Sequence, residues 1–281
     1  MIRPTIAVLA MIAALSSCSS SSPPPVAHAN QACADGRLSK SCADARIARG
    51  VHYVESVRTE IDPASLMFFS YIGKRWDVLQ LRAFEEDARS ATGALSTTNA
   101  FVRLLTSDID ADRKVIDQQQ GLNALTAPWL ECDDDPPDRQ QRQAANIALR
   151  EGGYEASHAL LGFLWARELD CPYPSRQRID AAIRVVLQEF SRADRFTDLA
   201  AEQFAFLCYA GMTPSIPQSF LESLFTAQHA DGGWPTDAAV PPEVHKGDLY
   251  LGRSNWHSTG LAIWALSCAT RGDAMNLGMV P

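Results

Sequence analysis

Excess positive charge is missing from this 281-residue sequence: 25 Lys and Arg stand against 33 Asp and Glu, a formal net charge of −8. That argues against nucleic acid as a partner, because a phosphate backbone requires a basic face. Apolar runs are short as well. The one at the N-terminus, Ile6 to Leu15, has ten residues, whereas a bilayer-spanning helix needs about 20. Period-2 alternation is nearly absent, which disfavours half-buried strands. What remains is an ordinary globular composition, 46% hydrophobic and 21% charged, which excludes disorder for the bulk of the chain and suffices for a substantial core.

The first residues carry an address. Arg3, the apolar run and then small residues follow the three-part pattern of a secretory signal. The run ends in Leu15-Ser16-Ser17-Cys18, which resembles the lipobox of bacterial lipoproteins. The resemblance implies a signal peptide over 1–17, lipidation of Cys18, and a membrane partner reached through that lipid. Ser19 in place of Asp further implies the outer membrane, facing the periplasm. A rival cleavage site, Ala27-His28-Ala29, lies fourteen residues beyond Leu15, far from the apolar run. Residues 18–43 then hold the lipidated cysteine and a Ser/Pro-rich tether, and 44–281 form the folded domain.

Six further cysteines in an oxidising compartment point to disulfides. Cys33 with Cys42 and Cys132 with Cys171 flank or occupy loops and are the expected pairs. Cys208 and Cys268 fall inside apolar helical runs, where they either bridge two helices or remain buried thiols.

Helical periodicity recurs along the domain, so the fold class is all-α. One-sided helices (Ala45 to Glu60, Val78 to Arg89, Arg142 to Arg150, Gln177 to Phe190, Pro217 to Gln228) alternate with more apolar partners beginning near Pro63, Thr98, Tyr154, Asp198 and Trp256. The expected architecture is an α/α toroid or an arc of about five helical hairpins. Asp198 or Thr197 is the expected N-cap of its helix. The polar stretch 92–141 yields no repeat boundary.

Gln228-His229-Ala230-Asp231-Gly232-Gly233-Trp234 resembles the Gln…Asp-Gly-Gly-Trp signature of α/α-toroid proteins, the group that contains terpenoid cyclases and protein prenyltransferase β-subunits. Paired glycines permit a tight turn after a helix while the Trp ring packs over its end. Asn255-Trp256-His257-Ser258-Thr259-Gly260-Leu261 looks like the next inner helix of that fold, which supplies a zinc-binding histidine in prenyltransferases. The reaction does not follow from the resemblance. The cyclase acid Asp-x-Asp-Asp is missing, since Asp108-Ile109-Asp110-Ala111 fails at its last position. Nor is there an Asp-x-Cys to complete a prenyltransferase zinc site. Asp134-Asp135-Pro136-Pro137-Asp138 spells a diphosphate motif, but its prolines forbid the helix such a motif rides on.

Laid over one another by their apolar runs, the three inner helices place Glu155, Asp198 and His257 in the first turn. His158 and Glu202 follow one turn later on the faces of Glu155 and Asp198. The expected site is a divalent transition metal such as Zn²⁺ held by Glu155, His158, Asp198 and His257, with Glu155 or Glu202 as general base for metal-assisted hydrolysis. The structural alternative treats the first-turn acids as helix-dipole partners and the histidines as satisfied core residues. Phe163, Trp165, Phe204, Phe206 and Trp264 are read as core and cavity wall, and His52, His229 and His245 as surface residues. Pro235 to Gly252 is a connecting loop with the position of a lid. The functional expectation is an envelope-anchored enzyme acting on a small or oligomeric substrate; the alternative is a non-enzymatic lipoprotein that binds a ligand or an envelope-protein partner.

Overall fold

A computed structural model describes residues 33, 37–92, 100–105, 119–130, 137–212, 216–240, 245–246 and 249–272. The signal segment, Cys18 and its tether, Cys132, the 108–112 aspartates and most of the 131–138 acidic loop lie outside the described residues.

The chain is mostly helical. Its first helix, α1 (Lys40–Ser56), begins where the Ser39 hydroxyl accepts the Cys42 amide. Next, α2 (Pro63–Arg75) has Asp62 as cap and proline at its first position, where the missing N–H costs nothing. The expected outer helix over 78–89 is divided at Ala83 into α3 (Leu79–Arg82) and α4 (Phe84–Thr92). Short helices α5 (Ala100–Leu105) and α6 (Asn123–Thr126) follow. Then α7 (Arg139–Glu151) starts on an Asp138–Gln141 capping box, and α8 (Gly153–Glu168) follows at once. After α9 (Arg176–Phe190) come α10 (Asp198–Tyr209), α11 (Gln218–Ala227) and α12 (Trp256–Arg271).

The apolar helices are the interior ones. Every residue of α10 except Leu199 is buried, and α8 and α12 are enclosed over most of their length. α10 packs between α8 and α12; α12 also contacts α1 and α2, and α2 contacts α5. Phe101 of α5 meets Trp165 of α8 edge-on at 5.3 Å between ring centres. On the outside, α7 and α9 lie on α8, while Phe220 of α11 stacks its edge on Phe190 and Phe204. α1 is more enclosed than its one-sided pattern implies, because Arg46 and Arg49 are buried.

Those two arginines hold the Asp-Gly-Gly-Trp turn. Arg49 donates to the carbonyls of His229 and Ala230, and Arg46 pairs with the Gln228 amide, which donates in turn to the carbonyls of Arg46 and Gly232. Gly232 has φ +96°, and a Cβ there would come within 2.2 Å of the Arg49 carbonyl oxygen, so only glycine fits. Trp234 is fully buried, and its indole N–H donates to Leu224 in the last part of α11. This is the Trp-over-helix-end packing expected from the sequence.

Two disulfides are formed among the described cysteines. Cys33 joins Cys42, and Cys208 joins Cys268 with a Cα separation of 6.1 Å, linking α10 to α12. Cys171 is disulfide-bonded too, its partner lying outside the described residues.

Candidate functional site

Two backbone devices bring the first turns of α10 and α12 level. β1 (Trp234–Pro235) pairs antiparallel with β2 (Ser254–Asn255), which leads directly into α12. One residue further along, the Thr236 carbonyl accepts the Asp198 amide at 2.7 Å, and Thr197 bridges to Asp237. Caps finish the placement. The Thr197 hydroxyl caps α10, leaving the Asp198 carboxylate free for tertiary contacts, and Asn255 caps α12 through the amides of His257 and Ser258.

Asp198 is the hub. Its Oδ1 accepts from the Ser258 hydroxyl at 2.5 Å and from His257 Nδ1 at 3.0 Å, and its Oδ2 accepts from the Tyr154 hydroxyl at 3.2 Å. One turn along α10, Glu202 is 2% exposed. Its Oε1 stands 3.3 Å from His158 Nδ1, within ion-pair reach but outside hydrogen-bond geometry, and is sealed from solvent without a hydrogen-bond partner. His158 Nδ1 is instead bonded to the Tyr154 carbonyl at 3.0 Å. A carbonyl or carboxylate can only accept, so both histidines carry their proton on Nδ1. Neither Nε2 has a hydrogen-bond partner among the described residues.

The electrostatics follow. Burial alone would depress His158, but Glu202 and the Tyr154 carbonyl outweigh it and raise its pKa. Burial likewise opposes charge on His257, and Asp198, aided by Glu202, overcomes it and raises the imidazole. Burial would raise Asp198; His257, Ser258 and Tyr154 hold it below the usual carboxylate range. The Tyr154 hydroxyl is pushed well up, by burial first and then by the charges of Asp198 and Glu202.

A cavity of about 450 Å³ opens against this cluster and is lined by His158, Glu202 and His257. Its other walls are largely aromatic, from Phe68, Phe101, Trp165, Phe206, Trp256 and Trp264, with aliphatic residues and the polar Ser65, Gln119, Asn123 and Thr126 between them. No Lys or Arg is among the described lining residues. Phe163 and Phe204 belong to the core instead.

The structure thus brings His158, Asp198, Glu202 and His257 together, and it leaves Glu155 apart. Glu155 is exposed and does not line the cavity. At 100° per residue, the face of α8 that carries Tyr154 and His158 toward α10 turns Glu155 toward solvent, so its expected role as ligand and base has no geometric support. Among the described residues no group of three or more His, Cys, Asp or Glu side chains is placed to hold a metal ion. Both Asp198 oxygens are already engaged, so the donor set does not fit the expected metal.

Sequence reasoning passed over the hydroxyls of Tyr154 and Ser258. The signals were there: Tyr154 precedes His158 by four residues, one helical turn, and Ser258 adjoins His257. His229 is half-buried beside the Ser254 hydroxyl, not free on the surface, and His52 is exposed as expected. None of the described residues in 235–252 lines the cavity, and 236–238 are bonded to Phe196, Asp198 and Leu251, so this stretch is a strap over the start of α10. Compared with protein-family models, with curated proteins and with solved structures, the chain finds no match.

Proposed function

We propose that this protein is a lipoprotein of the bacterial envelope, anchored through Cys18 and facing the periplasm, whose helices form an α/α toroid around an acid–base site that hydrolyses a small molecule. The toroid reading is supported by alternating outer and inner helices, by contacts running α8–α10–α12–α2–α5 and back to α8 through Phe101 and Trp165, and by the Asp-Gly-Gly-Trp turn.

The observation that carries the activity is the pair of imidazoles, each held by its Nδ1 with Nε2 unpartnered, on the wall of one aromatic cavity. Fixing Nδ1 sets the tautomer and aims the reactive nitrogen. Both imidazoles are raised above their ordinary value by the carboxylates beside them, and an imidazole so held can both take and give a proton. One ring takes a proton from water as the water oxygen bonds to the electrophilic carbon; the other returns a proton to the leaving group as its bond breaks. Asp198 holds His257 in place from behind and is not among the cavity-lining residues.

The test is incubation of the purified protein with a small-molecule extract of bacterial envelope, read by mass spectrometry for species that disappear and products heavier by one water in sum. Wild type should deplete a defined species, while His158→Gln and His257→Gln, folded by circular dichroism, should not. Equal profiles for wild type and the double variant overturn the catalytic reading in favour of a binding protein.

A further inference from the structure

We infer that the cavity takes an organic cation, a protonated primary or secondary amine on an aromatic or apolar body, with the ammonium seated against Glu202. This rests on the proposal that the cavity is the working site and names the class of molecule it receives.

Glu202 is the starting point. It is the one carboxylate among the described lining residues, it is 2% exposed, and neither of its oxygens makes a hydrogen bond. A buried carboxylate without donors is costly, and among the described residues only the charge of the neighbouring imidazoles, when protonated, offsets that cost. His158 stands at ion-pair distance, but its Nδ1 proton is directed to the Tyr154 carbonyl. A ligand that brings positive charge and an N–H donor to Oε2, the oxygen not sealed from solvent, stabilises the group.

The surroundings agree. Six aromatic rings line the cavity, and the negative faces of such rings attract ammonium groups, more strongly where water is excluded. An anionic ligand would meet no Lys or Arg on the described wall and would face Glu202. The volume of about 450 Å³ is within the range of pockets that enclose a small organic molecule.

Among the described residues the ionisable groups around the seat are His158 with Tyr154 behind it from α8, Glu202 with Asp198 behind it from α10, and His257 from α12, while α2, α5 and 119–130 contribute none to the lining. Protonated His158 and the bound ammonium compete for the same carboxylate. Binding therefore tightens as the pH rises through the histidine range and holds until the amine itself loses its proton.

The experiment is calorimetric titration of the purified full chain with benzylamine, benzyl alcohol and benzoate, which share a ring and differ in head group. Benzylamine should bind, benzyl alcohol more weakly by about tenfold, and benzoate not at all. Benzylamine should bind more tightly at pH 8 than at pH 5.5, and Glu202→Gln should cost about tenfold or more. Benzoate or benzyl alcohol binding as well as benzylamine, or unchanged affinity in folded Glu202→Gln, overturns the inference. If Glu202→Gln does not fold, the wild-type comparison decides. Binding is read without turnover: loss of amine selectivity with histidine-dependent depletion intact defeats only this inference, and amine binding without any depletion defeats only catalysis.

Discussion

His257 Nδ1 and Asp198 Oδ1, 59 residues apart in sequence, lie 3.0 Å apart. The same oxygen accepts the hydroxyl of Ser258, so one buried carboxylate fixes two consecutive residues of α12, and its second oxygen reaches Tyr154 of α8. Three helices are therefore registered by a single side chain.

Removing that carboxylate should be felt twice. Asp198→Ala is expected to cost about 3 kcal/mol, because it strands buried donors and the charge partner of His257; urea unfolding measures it. Asp198→Asn keeps an acceptor but not the charge, so the His257 pKa should fall toward or below its ordinary value, as a histidine titration by NMR would report.

Stability should decline on both sides of a plateau between pH 3.8 and 6.5. The two imidazoles are raised above their ordinary 6.5, so their contribution is complete below that value and fades as the pH climbs through their folded values. The His257 side chain keeps 45% of its surface, and solvent screening makes its share the smaller. Asp198, depressed below 3.8, contributes fully above that pH and loses its contribution as the pH falls through its lowered value. Urea midpoints across pH should show both arms, and the alkaline arm should flatten in the His158→Gln, His257→Gln double variant.

The buried disulfide between α10 and α12 closes a separation of 60 residues, for which loop-closure entropy gives about 4 kcal/mol. The Cys208→Ser, Cys268→Ser double variant should lose stability on that scale. Both cysteines are almost fully buried, so mild reductant should leave the native protein oxidised until it is unfolded.

At the Asp-Gly-Gly-Trp turn, Gly232→Ala must accept a positive φ and a collision with the Arg49 carbonyl. A loss of at least 2 kcal/mol is expected. Trp234→Ala, by emptying a fully buried site, should lose about 3–5 kcal/mol, both read as shifts in urea midpoint.

Much of this was legible in the sequence because α9, α10 and α12 announce themselves by periodicity and by caps. Asp198 and His257 lie in first turns as their apolar runs indicate, and His158 and Glu202 lie one turn deeper. Glu155 was misplaced for a physical reason. α8 is apolar on almost every side, so aligning its run fixes its height along the axis and leaves its rotation open; one residue of rotation separates Tyr154, which reaches Asp198, from Glu155, which meets solvent. The far wall was hidden for another reason. Gln119, Asn123 and Thr126 come from a stretch with no period, where only tertiary contact assigns a role.

The strap from Trp234 through Ala238 is bonded at both ends, to the start of α12 through Asn255 and to the start of α10 through Phe196, Thr197 and Asp198. With the disulfide at the opposite ends of these helices, the pair behaves as two rails joined by a rung at each end. Glu202 and His257, one on each rail, are thereby held at a fixed spacing on the cavity wall.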